Sequence, residues 1–296
     1  MWKWILPAAF FAGLLALSQT PSSTVREIAP GVWVRLGDRT RNQPANAGWV
    51  IFKDYVLVID ANFPWGAKEI LPAIRKTSSK PIRFVFNTHY HGDHAYGGSI
   101  FTDQGAQIVC STDCGLESVT KGQAGWDKNT ATGEYSLKPY KLAHPSLTFG
   151  DSLVFDDGEH KVELRKMGPG HSKGDSVAWL PKEKILFTGD MCVNWGTGNN
   201  VADADADLDN WLRALDRMAA LSPTQVVVGH GTIGSIKDLR AQHAYLADMV
   251  DAVRHGIAAG KTEDEVGETD LTRHAIGASK PANVSSLKAV YRKMKR

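Results

Sequence analysis

The stretch Thr88-His89-Tyr90-His91-Gly92-Asp93-His94 sets four side chains that bind metals well within a short loop. Three imidazoles and a carboxylate so close together repel one another when charged and lose solvation when buried. A cation relieves both problems, because neutral His and ionised Asp are the forms that metal ions prefer. Further ligand types lie downstream, each in a glycine-containing turn after an apolar run: His171 in Gly168-Pro-Gly-His-Ser-Lys-Gly-Asp175, Asp190 in Leu186-Phe-Thr-Gly-Asp190, and His230 in Val226-Val-Val-Gly-His-Gly231. Glycine permits positive φ and close backbone approach, so each turn can aim one side chain at a common point. Imidazole and carboxylate without thiolate suit zinc, and also manganese or iron. Two divalent ions about 3.5–4 Å apart can share a hydroxide and clamp a substrate oxygen. Zinc brings its bound water to a pKa of about 7, so no Ser, Cys or Lys nucleophile is needed.

The elements that must position these groups can be read from periodicity. Gly31–Leu36, Gly48–Phe52 and Tyr55–Asp60 alternate or run apolar as strands, and Gly66–Thr77 has helical spacing. Ile82–Phe86 is a short apolar strand that leads directly into the His-rich loop, which opens into a helix around Tyr96–Phe101. Ligands at the C-terminal end of a buried strand are where α/β folds place chemistry. Gln107–Cys110 reads as a strand and Thr112–Thr120 as a helix. Lys121–Ser146 breaks the rhythm and reads as a long loop, a lid over the site. Strand pairs follow at Leu153–Asp156 with Val162–Met167 and at Ser176–Leu180 with Ile185–Thr188. Asp207–Leu221, Asp238–Ala258 and Val284–Lys295 read as helices around the strand Gln225–Gly229. Clustered strands with helices in both halves point to an α/β fold of two packed sheets with helices outside.

Composition limits the partners. The chain has 296 residues with 34 basic and 32 acidic side chains, a balance that does not favour nucleic acid. Lys3 followed by the apolar run Ile5–Leu17 and a polar segment reads as a signal peptide over residues 1–20, too short for the ~20 residues of a spanning helix. Residues 21–296 then form a single domain, exported and periplasmic, without a stable membrane anchor after cleavage and acting on a small-molecule substrate. Three cysteines are too few for a disulfide scaffold. Cys110 and Cys114, four apart, read as ordinary buried thiols that an oxidising compartment could pair. The alternating Asp203, Asp205, Asp207 and Asp209 read as acidic enrichment before a helix, with Asp207 near its cap. His144 is treated as structural unless the preceding loop folds over the site.

His89, His91, Asp93 and His94 match a His-x-His-x-Asp-His motif, and His171, Asp190 and His230 follow in the matching order, so the sequence resembles the metallo-β-lactamase superfamily. The resemblance implies an αββα four-layer sandwich with a metal centre at one edge of the sheets. It implies two Zn2+ per chain, with His89, His91 and His171 on one, Asp93, His94 and His230 on the other, and Asp190 between them. Asp93 would also orient the attacking hydroxide, and Asp60 would support a ligand or simply close its strand. Asp190 stands where some β-lactamases of the family carry a thiolate, and Val193 where they carry a substrate-gripping Lys. The full pattern looks like glyoxalase-II-type thioesterases, lactonases and exported quinoprotein-associated hydrolases. The implied function is therefore an exported, zinc-dependent binuclear hydrolase of ester, thioester, lactone or amide carbonyls. Alternatives are a β-lactam-hydrolysing enzyme and a mononuclear iron persulfide-type dioxygenase. The loop after Asp190, with Asn194, Trp195, Asn199 and Asn200, is expected to contact substrate.

Overall fold

A computed structural model describes residues 24–295; the signal segment expected over residues 1–20 lies outside them. The first sheet runs, in spatial and chain order, β1 (Val25–Ala29), β2 (Val32–Arg35), β3 (Ala47–Ile51), β4 (Val56–Ile59), β5 (Ile82–Phe86), β6 (Gln107–Ser111) and β7 (Leu147–Phe149). Its first four strands form an antiparallel meander, and β4 through β7 are parallel. The second sheet contains β8 (Ser152–Asp156), β9 (Lys161–Lys166), β10 (Ser176–Leu180), β11 (Ile185–Gly189), β12 (Gln225–Val228) and β13 (Ile233–Gly234), in the order β13-β12-β11-β10-β9-β8. Only β11 and β12 pair in parallel there.

Alternation in the strands builds the layers. In β4, Leu57 and Ile59 point to the second sheet and join Phe52, Phe86, Val162, Leu180 and Phe187 in the central core. Val56 and Val58 point the other way, onto Ile70 and Ile74 of helix α1 (Pro64–Thr77) and the nearby Phe101. On the far side, Trp179, Leu186 and Val226 pack against helices further along the chain. The result is the αββα sandwich that the resemblance implied.

The His-rich loop winds through two short helices, α2 (Gly92–Ala95) and α3 (Gly98–Thr102). Next come α4 (Thr112–Glu117), a π turn at Ser118–Gly122 and α5 (Gln123–Asp127). The expected long loop therefore starts seven residues late. Its first part is helical, and Gly125 leaves room for the Tyr96 hydroxyl, which donates to Gly122 O at 2.8 Å. The second half contributes α6 (Leu208–Ala220), α7 (Ile236–Ala258), α8 (Glu263–Gly267) and α9 (Lys280–Met294). Asp207 does cap α6, its carboxylate accepting from Asn210 N at 2.9 Å. Among the described residues no helix is long and apolar enough to cross a membrane.

One end of the sandwich gathers the chemistry for a topological reason. β4 and β5 are parallel, as are β11 and β12, so their C-terminal ends emerge together. β9, antiparallel to β10 as β10 is to β11, finishes at the same end. Asn46 ties the sheets across that edge, its backbone N–H donating to Gly229 O and its amide to Val228 O.

Candidate metal centre

The turns after β5, β9, β11 and β12 bring all seven sequence-predicted ligands together. His89, His91, His171 and Asp190 form one group, and Asp93, His94 and His230 a second; within each, ligand atoms lie within 4.8 Å of one another. Every member except His91 and Asp93 is buried. Those two remain partly open, so the centre has a solvent-facing mouth.

A tetrahedral zinc with bonds of about 2.0–2.1 Å sets its ligand atoms about 3.3 Å apart. His94 Nε2 and His230 Nε2 are 3.4 Å apart, and Asp93 Oδ2 lies 3.3 Å from His230 Nε2 and 3.8 Å from His94 Nε2. Asp190 Oδ1 completes that set at 3.2 Å from His94 Nε2 and 3.1 Å from His230 Nε2. In the other group His171 Nε2 lies 2.9 Å from His91 Nδ1 and 3.6 Å from Asp190 Oδ2. Asp190 therefore lies between the groups: its Oδ1 and Oδ2 are 3.1 and 3.2 Å from His230 Nε2, and Oδ2 is also 3.6 Å from His171 Nε2. His89 Nε2 and Asp190 Oδ1 are buried without a hydrogen bond. Orphaned lone pairs converging from several imidazoles and carboxylates are a donor set made for cations.

Outer partners set the ring orientations. His171 Nδ1 donates to Asn200 O and His230 Nδ1 to Pro44 O, each at 2.9 Å, which leaves both Nε2 lone pairs facing inward. Asp60 does this for two ligands at once. Its Oδ2 accepts from His94 Nδ1 at 2.8 Å and from Thr88 Oγ1 at 2.9 Å. The Thr88 hydroxyl has then spent its proton, so it accepts from His89 Nδ1 at 3.1 Å. Asp60 sits at φ 60°, a left-handed conformation that Asp tolerates better than most residues. Gly229 serves by having no side chain: a Cβ there would fall 2.0 Å from Asp190 Oδ1.

Without a metal, charge distribution splits the centre. Burial opposes charging His94, but the carboxylates of Asp190, Asp60 and Asp93 outweigh it and raise its pKa well above the ordinary value. His230 is raised in the same way, against burial, by Asp190 and Asp93. Asp190, despite burial, is held well below the usual carboxylate range by His230 and His94. In the other group burial wins, reinforced by neighbouring rings: His89 is lowered strongly and His171 to about 4. His94 and His230 thus attract positive charge, while His89 and His171 present neutral rings.

Residues 40–230 match the family described as the metallo-beta-lactamase superfamily, well over half of the chain. The chain belongs to the metallo-β-lactamase superfamily. Members are generally metal-dependent hydrolases that bind metal ions, typically zinc. Over 240 residues the chain is 26% identical to "Metallo-beta-lactamase type 2" of Elizabethkingia meningoseptica, covering 77% of this chain and 87% of that one. It is 23% identical to "Beta-lactamase-like protein 2 homolog" of Caenorhabditis elegans over 228 residues, 76% of this chain and 68% of that one. A metallo-beta-lactamase from Pontibacter korlensis superposes with a TM-score of 0.63 at 24% identity, covering 77% of this chain and all of that one. At that identity the superposition speaks to the fold alone.

Within this superfamily centre, the loop after Asp190 has duties toward the ligands. Asn199 Nδ2 donates to Asp190 O at 2.7 Å, and the Asn200 carbonyl orients His171. The Asn194 amide bridges Thr232 O and Asp238 Oδ1 while its oxygen accepts from Thr232 N. Trp195 lies against His230, ring centroids 4.2 Å apart and planes 18° from parallel. His144 hydrogen-bonds Ser118 Oγ and Gln123 Oε1, and so braces the helical segment. Cys110, Cys114 and Cys192 are free and buried.

Sequence reasoning missed Asp203. Its Oδ2 lies 3.4 Å from His91 Nε2 and accepts from the Tyr90 hydroxyl, and its Oδ1 takes Lys121 Nζ at 2.8 Å. His91 is thus turned to offer Nδ1 inward. The alternating acids held no sign of this, because their spacing fits a helix entrance equally well.

Proposed function

We propose that the chain is a binuclear zinc hydrolase that cleaves an ester, thioester, lactone or amide carbonyl. The observation that carries this reading is the position of Asp190 between the two ligand groups, its carboxylate 3.2 Å from His94 Nε2, 3.1 Å from His230 Nε2 and 3.6 Å from His171 Nε2. Held by these residues, two divalent ions would supply Lewis acidity and a water activated at neutral pH. The chain's own groups do the rest. Asp93, partly open at the mouth, is the carboxylate placed to accept a hydrogen bond from the attacking water and hold it in line. Asp60, Asp203 and the Asn200 and Pro44 carbonyls keep the imidazoles from turning as charge builds. The absence of thiolate from the donor set supports zinc or another borderline metal over a soft one.

The ligand pattern supports the glyoxalase-II-like and quinoprotein-associated branch, and the Lys3 and Ile5–Leu17 pattern supports export to the periplasm. β-Lactam hydrolysis is the second reading, favoured by the names of the relatives. Zinc-loaded protein assayed against β-lactams, lactones and glutathione thioesters tests both. Turnover of any member supports hydrolysis and picks the branch. Inactivity against all, with oxygen uptake on a persulfide by iron-loaded protein, would replace the reading with a dioxygenase.

A further inference from the structure

The loop between β2 and β3 brings a cation to the rim of the metal centre. Arg39 begins a one-turn helix, Arg39–Arg41, whose N-cap Asp38 accepts from Thr40 N at 2.9 Å and Thr40 Oγ1 at 2.6 Å. Reciprocal backbone bonds between Asp38 and Gln43 close the turn. Further along, the same loop is fastened to the site by Pro44 O on His230 Nδ1 and by Ala45 O, which accepts from Asn62 Nδ2. Arg39 therefore projects from a firm support.

Its guanidinium carbon lies 4.7 Å from the Trp195 ring centroid, and that ring, held by Nε1–H donation to Gly198 O at 2.6 Å, stacks on His230. Roughly 9 Å at most then separates the guanidinium from the ring of a metal ligand. The neighbouring arginines are spent: Arg35 and Arg41 both pair with Glu69. Arg39 is exposed and has no carboxylate partner among the described residues. A flat cation is thus held in place on an aromatic ring without being neutralised. Its fork of N–H donors matches a carboxylate.

We propose that Arg39 binds a carboxylate on the substrate, so that the preferred substrates are anionic acyl compounds. This rests on the hydrolase reading above and names the substrate class for the same site.

The test compares two chromogenic esters matched in leaving group and chain length, mono-4-nitrophenyl adipate and 4-nitrophenyl hexanoate, with the zinc-loaded protein. Wild type should favour the anionic ester about tenfold or more in kcat/KM. Arg39→Ala should bring that ratio close to one, Arg39→Lys should keep part of it, and Arg41→Ala should leave it unchanged. Calorimetric titration with the products gives a readout independent of turnover. Adipate should bind wild type about tenfold more tightly than Arg39→Ala, with hexanoate binding both alike. If wild type shows no preference, or Arg39→Ala slows both esters equally, the carboxylate site is overturned and the hydrolase reading stands. If wild type cleaves neither ester, the hydrolase reading is in difficulty and the titrations decide the subsite alone. Equal adipate binding by wild type and Arg39→Ala would then overturn it.

Discussion

Replacing Asp60 with Asn changes one oxygen to an NH2 group and should disable both halves of the metal centre. In the wild type Asp60 Oδ2 accepts from His94 Nδ1 and from Thr88 Oγ1, and Thr88 in turn accepts from His89 Nδ1. Thr88 N donates to Oδ1 at 2.8 Å, so an Asn side chain keeps its oxygen there and turns its NH2 toward His94 and Thr88. His94 must then carry its proton on Nε2, aimed at the metal position. The Thr88 hydroxyl becomes an acceptor from the introduced amide and donates onward, which pushes the His89 proton to Nε2 as well. Loss of one outer partner typically costs 10–100-fold in metal affinity, about 1.4–2.8 kcal/mol. Here one substitution reverses two ligands, so each half-site should weaken by that amount. Asn tolerates the left-handed backbone at this position, whereas Ala there adds about 1–2 kcal/mol of strain. Asp60→Ala imposes no wrong donor, so it should hold metal better than Asp60→Asn while folding less stably. Chelator competition gives the affinities and thermal melts of metal-free protein give the stabilities. Wild-type affinity in Asp60→Asn, or a greater affinity loss in Asp60→Ala, would refute the proton-relay reasoning.

Other outcomes follow from the same geometry. Asp93→Ala should abolish turnover of any substrate with the circular dichroism of the folded chain retained, because Asp93 is partly exposed and carries no core packing. Gly229→Ala should displace Asp190 and cost about 1–3 kcal/mol, since its Cβ would lie 2.0 Å from Asp190 Oδ1 and 2.7 Å from Gly189 C; melts and zinc content check both effects. Asp203 is half-buried, which opposes its charge, but hydrogen bonds from His91, Lys121 and Tyr90 hold it well below the ordinary carboxylate range. A depressed carboxyl contributes stability above the unfolded-state value near 4 and loses it as pH falls further. Metal-free wild type should therefore lose melting temperature more steeply below about pH 4 than Asp203→Asn, and parallel acid profiles would remove Asp203 from the account.

The sheets and the clustering of the candidate ligands were legible in the sequence because both depend on local signals. Strand alternation shows at Gly31–Leu36 and an apolar run at Tyr55–Asp60, and ligand types stand in turns directly after apolar runs. The supporting network was not legible. Asp203 reaches His91 across more than a hundred residues, and Pro44 and Asn200 act through backbone carbonyls that any residue would supply. Asn194 and Asn199, expected to contact substrate, also hold the backbone around His230 and Asp190, a duty their sequence positions do not announce. The helical run through Lys121–Asp127 was hidden by its glycines, which lower helix propensity and are compensated here by close packing on Tyr96. β7, three residues with two exposed, carries no alternation long enough to read.

The proposed binuclear centre depends on Asp190 joining its two ligand groups. Zinc content per chain, measured on protein purified without added metal, tests it most directly. Two zinc ions per wild-type chain are expected, and fewer than one retained by Asp190→Ala after the same dialysis. A single iron per chain, or two zinc ions held equally well without the Asp190 carboxylate, would contradict it.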